Sequence, residues 1–392
     1  MPQSSTITKG RFGIVALTIG YILFLVVATV YKYKRPGYNW DMLPYMALVV
    51  SIDHTDPKEV HAITYREARN SIPETAYKSL TDTANAYRKR MAEDPFSFRQ
   101  QMPFYIVKPL YVGMIYFFYK LGFSLVTAAF LPSVLSYFGI GLLVFFWLRK
   151  HLNILFATLL SIFLQLAAPL LMTASFATPD CLSAFLLLCS FYFLIENNSL
   201  TQSYVFLLIA ILTRLDNALL ALVIISFLAF GNKWPKRVPL KHFLWMLSGI
   251  VATYLIAAYG ATLYGWNILF LPTFYTKFHE TFYQVRTSSL IKDYILNRHS
   301  AIMIAMLAHH LFIYLSFSFL LFIGNRSLRW NDLSFDQTFM VCLIFTIAVR
   351  AMIHTDLGDR FFIAYFALIP ILLVRHLNQM TTNKLVNLTH DG

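Results

Sequence analysis

Charge is what this chain has least of. Charged residues make up 13% of its 392 positions, against ~25% in an ordinary soluble domain. The shortage is uneven, with 19 acidic residues against 32 basic ones. Cysteine is scarce too. Cys181, Cys189 and Cys342 all lie in apolar stretches at no metal-ligand spacing, which argues against both a disulfide framework and a zinc centre. The chain has no P-loop and no Gly-x-Ser-x-Gly, His-Glu-x-x-His or Cys-x-x-Cys element. The commonest signatures of nucleotide hydrolysis, serine hydrolysis, metalloproteolysis and dithiol chemistry are therefore missing. There is no internal repeat or low-complexity stretch. The first apolar run, from about Phe12 to Tyr31, is long enough to span a bilayer and lacks a small-residue cleavage site, so it reads as a span.

What the chain does have is apolar and aromatic surface. Hydrophobic residues are 58% of the total and aromatics 17%, and the mean hydropathy is +0.59. These totals describe an all-α, polytopic membrane protein. The formal charge of +13 is scattered between apolar runs. That distribution fits topology signals and contact with anionic lipid or phosphate rather than nucleic acid.

The first span leads into Gly37-Tyr38-Asn39-Trp40-Asp41-Met42-Leu43-Pro44-Tyr45 and then a long loop, 36–122. Asp41 lies near a helix end among Tyr38, Trp40 and Tyr45, aromatics typical of the membrane–water interface. It is either the N-cap of the next helix or a carboxylate able to meet a lipid-borne and a water-borne substrate together. The loop reads as short amphipathic helices on a membrane surface. From Glu74 to Met91, Tyr77, Leu80, Ala84, Tyr87 and Met91 share one face at helical spacing.

Further spans are expected at about 123–148, 152–172, 179–195, 243–264, 301–323, 337–352 and 361–378. The 203–230 run is interrupted by Thr213-Arg214-Leu215-Asp216-Asn217, and the 105–120 run is ambiguous. Let the latter lie on the surface and the former be two short helices. Then Arg149-Lys150, the basic 233–237 loop, Arg326, Arg329 and the C-terminal tail share the cytoplasmic side. The 36–122 loop, Asp180, Asp216, the 265–300 loop and His354–Arg360 share the other. The expectation is one integral membrane domain of ten spans with both termini inside. Residues 12–230 form its first module and 231–392 a further set of spans. The sequons at Asn197, Asn325 and Asn387 then face the cytoplasm and stay unmodified.

Several polar residues are candidates for chemistry. Lys108-Pro109 stands where the loop returns to the membrane, and a lysine there either snorkels or binds a lipid phosphate as a point charge. Thr178-Pro179-Asp180 opens a span, so Asp180 is a helix-start acid or a second site carboxylate. Arg214 and Asp216, inside an apolar run, pair with each other or face a cavity. Arg350 lies inside a span. His354, Asp359 and Arg360 belong to a polar turn, and a guanidinium there can grip phosphate oxygens bidentately. His279, Glu280, Arg286, Lys292, Asp293, Arg298 and His299 in the 265–300 loop have no spacing that selects among them. His309 and His310 read as core histidines.

Taken in order, these elements resemble the C-type (GT-C) membrane glycosyltransferases, which include protein O-mannosyltransferases and the lipid A aminoarabinose transferase. The matching features are Asp41 just after the first span, the long loop, and the Lys108-Pro109-Leu110-Tyr111 return. Thr178-Pro179-Asp180, Thr213-Arg214-Leu215-Asp216-Asn217 and Asp359-Arg360-Phe361 complete the series. Many relatives carry two acids at the first site, whereas Met42 follows Asp41 here, and the lysine return has one proline where two are common.

The resemblance implies inverting transfer of a hexose or pentose from a polyprenyl-phosphate carrier to a glycan, lipid or protein acceptor. The active site would face outward from a bacterial inner membrane. Asp41 would be the catalytic base. Tyr45, Lys108, Asp180, Arg214, Asp216, Arg350, His354, Asp359 and Arg360 would bind substrate. No metal ligand set is implied, and a divalent cation stays open as a cofactor beside the lipid-linked donor. Two alternatives remain: a transporter or flippase for a lipid-linked or anionic solute, and an envelope polysaccharide polymerase or ligase.

Overall fold

Several helices begin where a capping side chain or a proline interrupts the apolar pattern, as at Asp94-Pro95, Ser124 and Asn153. A computed structural model describes residues 4–82, 84–231, 238–264, 294–295, 311–322, 329, 332–353 and 358–390. Among them every regular element is a helix. The first span is α1 (Ser4–Lys34). The loop carries α2 (Met42–Asp53), α3 (Pro57–Ser71), α4 (Glu74–Leu80), α5 (Ala86–Glu93), α6 (Pro95–Arg99) and α7 (Pro103–Ile106). It returns through α8 (Pro109–Lys120). There follow α9 (Leu125–Leu148), α10 (Ile154–Leu166), α11 (Ala168–Ala174), α12 (Asp180–Ile195), α13 (Leu200–Thr213), α14 (Asn217–Phe230) and α15 (Leu240–Ala258). Beyond these come α16 (Leu311–Leu320), α17 (Phe335–Ile353) and α18 (Ile363–His390), with a short 3-10 turn, Asp359–Phe361, before the last.

Among the described residues five helical segments are long and apolar enough to cross a membrane: Gly13–Lys34, Leu125–Leu148, Leu240–Ala261, Phe335–Ile353 and Ile363–Thr381. The protein is thus an α-helical membrane protein. A sixth crossing exists if α10 and α11 count as one. The apolar helices α12, α13 and α14 have 16, 14 and 14 residues, below the ~20 that a straight crossing takes. The 12-residue α8 is about 18 Å long and cannot cross a core of about 30 Å.

Two expectations about helix continuity change. The stretch 152–172 bends by 60° between α10 and α11. Ala167 is extended there (φ −64°, ψ 138°) and Pro169 sits in the first turn of α11; a proline has no N–H to continue the preceding helix. Glu74–Met91 is likewise two helices. Asn85 accepts from the Arg88 N–H at 3.1 Å and starts α5 afresh, while Asp82 accepts from the Ala84 N–H at 2.9 Å. Leu80 and Met91 are buried as the helical face required, but Ala84, in the break, is exposed.

Polar contacts fix the helices at both ends of the bundle. At one end Glu196, just after α12, accepts from the Trp147 indole and from the His151 ring, both at 2.8 Å. Close by, Arg375 of α18 donates to Asp336 of α17 at 2.9 Å. The opposite end gathers the starts of α12 and α18, the end of α17 and the α13–α14 break. Midway, the Tyr21 hydroxyl of α1 donates to the Gly141 carbonyl of α9 at 2.9 Å. A Cβ on Gly141 would lie 2.5 Å from a Leu25 methyl, so α1 and α9 touch there.

Candidate functional site

Asp41 begins α2, yet it does not cap it. Its backbone is helical (φ −56°, ψ −23°), and its side chain makes no capping hydrogen bond. The carboxylate turns elsewhere. The Tyr105 hydroxyl donates to Oδ1 at 2.9 Å, and Arg360 Nη1 donates to Oδ2 at 3.1 Å. The Gly37 N–H donates to the Ser175 carbonyl at 2.8 Å, and the Ala177 N–H to Asn39 Oδ1 at 3.0 Å. These bonds strap the 37–39 stretch to the chain just before α12. The approach at Gly37 is close enough that a Cβ would come 2.8 Å from the Phe176 ring. Trp40 packs on Tyr87 at 5.0 Å between ring centroids, and Tyr105 packs edge-on against Tyr45 at 5.0 Å. Helices of the loop therefore form an aromatic wall behind Asp41.

The break between α13 and α14 supplies the next part. Arg214 is extended there (φ −156°, ψ 122°), and Asn217 locks the bend by donating to Ser183 Oγ and to the Ala210 carbonyl, both at 2.8 Å. Arg214 grips Asp216 bidentately, Nε to Oδ1 at 3.0 Å and Nη2 to Oδ2 at 2.9 Å, and also donates to Asp180. Arg350 Nε completes the Asp216 contacts at 2.8 Å. Asp180 is a helix-start acid and a member of the cluster at once. Asp216 heads α14 but makes no cap bond.

The turn before α18 brings in the rest. Asp359 is buried at its head, and Arg360 Nε lies 4.0 Å from Asp180 as well as bonding Asp41. The Phe361 ring stands under three guanidiniums, those of Arg214, Arg350 and Arg360, at 4.3, 4.5 and 4.7 Å. An aromatic face favours cations, so one ring and three carboxylates hold together arginines that would repel one another in isolation.

Lys108 does not snorkel away from the bundle. Its ammonium donates to the Phe104 carbonyl at 2.7 Å and sits over the rings of Tyr105 and Tyr45, at 4.9 and 5.5 Å. Burial, and then the charge of Arg214, push the lysine down to about 8, against the opposing pull of Asp41 and Asp180. The Tyr105 phenol moves the other way. Burial, with the Asp41 charge second, raises it well above its usual value, so it remains a proton donor to Asp41.

Eight of the ten expected residues therefore meet in one assembly: Asp41, Tyr45, Lys108, Asp180, Arg214, Asp216, Arg350 and Arg360. Tyr45 is buried in the wall behind Lys108. Asp359 adjoins the assembly through Arg360, and His354 lies outside the described residues. So do the 265–300 candidates named above and His309 and His310. Exposure sorts the cluster by reach. Asp180 and Arg350 are 2% and 7% exposed, whereas Asp41, Arg360 and Asp216 are 26%, 27% and 30% exposed.

Sequence reasoning missed Tyr105, Asn39 and the structural part played by Phe361 and Asn217. Asn39, Phe361 and Asn217 all stood in motifs along the chain. Tyr105 carried no signal, because its partner is 64 positions away.

Each carboxylate of the cluster already accepts from an arginine. Among the described residues no three His, Cys, Asp or Glu side chains converge on a metal position. The partly exposed cations at the end of an apolar bundle suit an anion carried on a lipid. No protein-family model, curated protein or solved structure matches the chain.

Proposed function

We propose that the chain is a membrane glycosyltransferase of the C type. In this reading it moves a sugar from a polyprenyl-phosphate carrier to an acceptor hydroxyl on the outer face of a bacterial inner membrane. The observation that carries it is the meeting of a partly exposed carboxylate, Asp41, with phosphate-suited cations, Lys108 and Arg360, at one end of the apolar helices. A polyprenyl phosphate keeps its chain in lipid and its phosphate at that level.

The acceptor oxygen attacks the anomeric carbon while its proton passes to Asp41. The bond from the anomeric carbon to the phosphate oxygen breaks, its electron pair stays on the phosphate, and configuration inverts. Polyprenyl monophosphate departs with one more negative charge, which Lys108 and Arg360 offset as it develops. The ion pairs among Asp180, Arg214, Asp216 and Arg350 keep these groups in place, and the loop helices limit access of water to the reacting sugar. The acceptor is a glycan, a lipid or a protein. The topology that goes with this reading has ten spans, with the 36–122 loop outside.

One observation favours the transporter alternative. Two apolar runs are broken, at Ala167 and at Arg214–Asp216, and paired discontinuous helices are common in transporters. The first break is proline-made and carries no charge, unlike the second. Nanodiscs and sealed proteoliposomes separate the two readings. A transferase releases labelled sugar from polyprenyl-phosphate hexose or pentose in open nanodiscs; a transporter only moves the intact lipid or solute across liposomes. Flux without release would remove the transferase reading.

A further inference from the structure

Arg360 makes a contact that a general base would have to lose. Asp41 has one oxygen on Tyr105 and the other on Arg360. The Arg360 guanidinium stands 3.1 Å from the carboxylate. It also occupies the oxygen that Tyr105 does not.

The cluster's other arginines are held differently. Arg214 is bidentate on Asp216 and also bonds Asp180, and Arg350 is almost fully buried. Arg360 reaches Asp41 through one nitrogen at 3.1 Å, with Asp180 at 4.0 Å, and is 27% exposed. A phosphate offers it a fork of two oxygens, which the planar guanidinium can take bidentately. The Phe361 ring, 4.7 Å from its guanidinium, gives it a face to keep while changing partners.

We propose that Arg360 passes from Asp41 to the donor phosphate when the lipid binds, leaving Asp41 held by Tyr105 and open to the acceptor hydroxyl. This rests on the reading of the site given above. It makes Arg360 a positioning residue for the base as well as a phosphate ligand. The base is released only when a lipid phosphate occupies the site.

The test is a double-mutant cycle on binding of sugar-free polyprenyl monophosphate to the full chain in nanodiscs. Asp41→Asn removes the competitor for Arg360 and is expected to bind the lipid roughly three- to fivefold more tightly, the scale of one half-exposed charge pair. Arg360→Gln is expected to bind more weakly, and the gain from Asp41→Asn is expected to vanish in that background. A gain that persists undiminished in Arg360→Gln would mean that Asp41 repels the lipid through space, and the hand-off would be overturned. So would the absence of any gain. Failure of the wild type to bind the lipid at all would overturn the reading of the site as well, which separates the two failures.

Should Asp41→Asn fold poorly, the wild type still decides. Infrared difference spectra on adding the lipid should show one carboxylate leaving a guanidinium. An unchanged carboxylate region in a chain that binds the lipid would overturn the proposal.

Discussion

At the scale of single residues, the contacts of Asp41 make the sharpest demands. Tyr105 orients one carboxylate oxygen from 2.9 Å, and hydrogen bonds to charged groups are worth about 1.5–3 kcal/mol. Tyr105→Phe is therefore expected to lower kcat by about ten- to a hundredfold while leaving KM for the donor unchanged, which initial-rate kinetics would show. Lys108 gives a pH signature. Its ammonium, pushed down to about 8, attracts phosphate while protonated and loses that attraction as pH rises past this value. Donor KM should climb above about pH 8. Lys108→Arg, always charged, should flatten that limb even if it shifts the absolute KM. Much of the site was legible at this scale, because an acid or arginine interrupting an apolar run is costly and rarely idle. Tyr105 and Asn39 were not legible: an aromatic or amide in a polar loop is ordinary, and their importance comes from contacts that span 64 and 138 positions.

At the scale of elements, the sequence showed which runs are helical better than where they break. The bend at Ala167 and the gap at 81–85 come from local chemistry, a proline and an Asn cap, inside patterns whose periodicity continued across them. The clamp on α18 was not legible at all. Arg375 meets Asp336 at the end of the bundle away from the candidate site, and Asp336 is 1% exposed. Arg375→Met leaves that carboxylate buried without its partner. Such a break typically costs about 3–5 kcal/mol, so the melting temperature in detergent should fall clearly. Arg375→Met combined with Asp336→Leu should recover much of the loss. At the α1–α9 contact, Gly141→Val drives a side chain into Leu25, and overpacking of this kind costs about 1–3 kcal/mol. The same melt would register it.

At the scale of the whole molecule, the two polar clusters bear on topology independently of the positive-inside rule. α12 and α17 each carry one end in the candidate site and the other beside the Glu196–Arg375 cluster. Among the described residues, Asp41, Asp180, Asp216 and Arg360 lie together, and His151, Glu196 and Arg375 lie together at the other end. Which side each end faces can be read by an impermeant maleimide on intact cells. Lys58→Cys, in the loop, should be labelled, and Lys150→Cys, at the opposite end, should be labelled only after lysis. The reverse pattern would invert the orientation.

The central claim is that Asp41 takes a proton from the acceptor during transfer from a phosphate-linked lipid. The most direct measurement follows release of radiolabelled sugar from a panel of polyprenyl-phosphate sugars by the protein in nanodiscs, with envelope lipids as acceptors. Wild type and Asp41→Asn would be compared side by side. Release by the wild type is expected, and none by Asp41→Asn despite retained binding of the donor. Release at the wild-type rate by Asp41→Asn would contradict it.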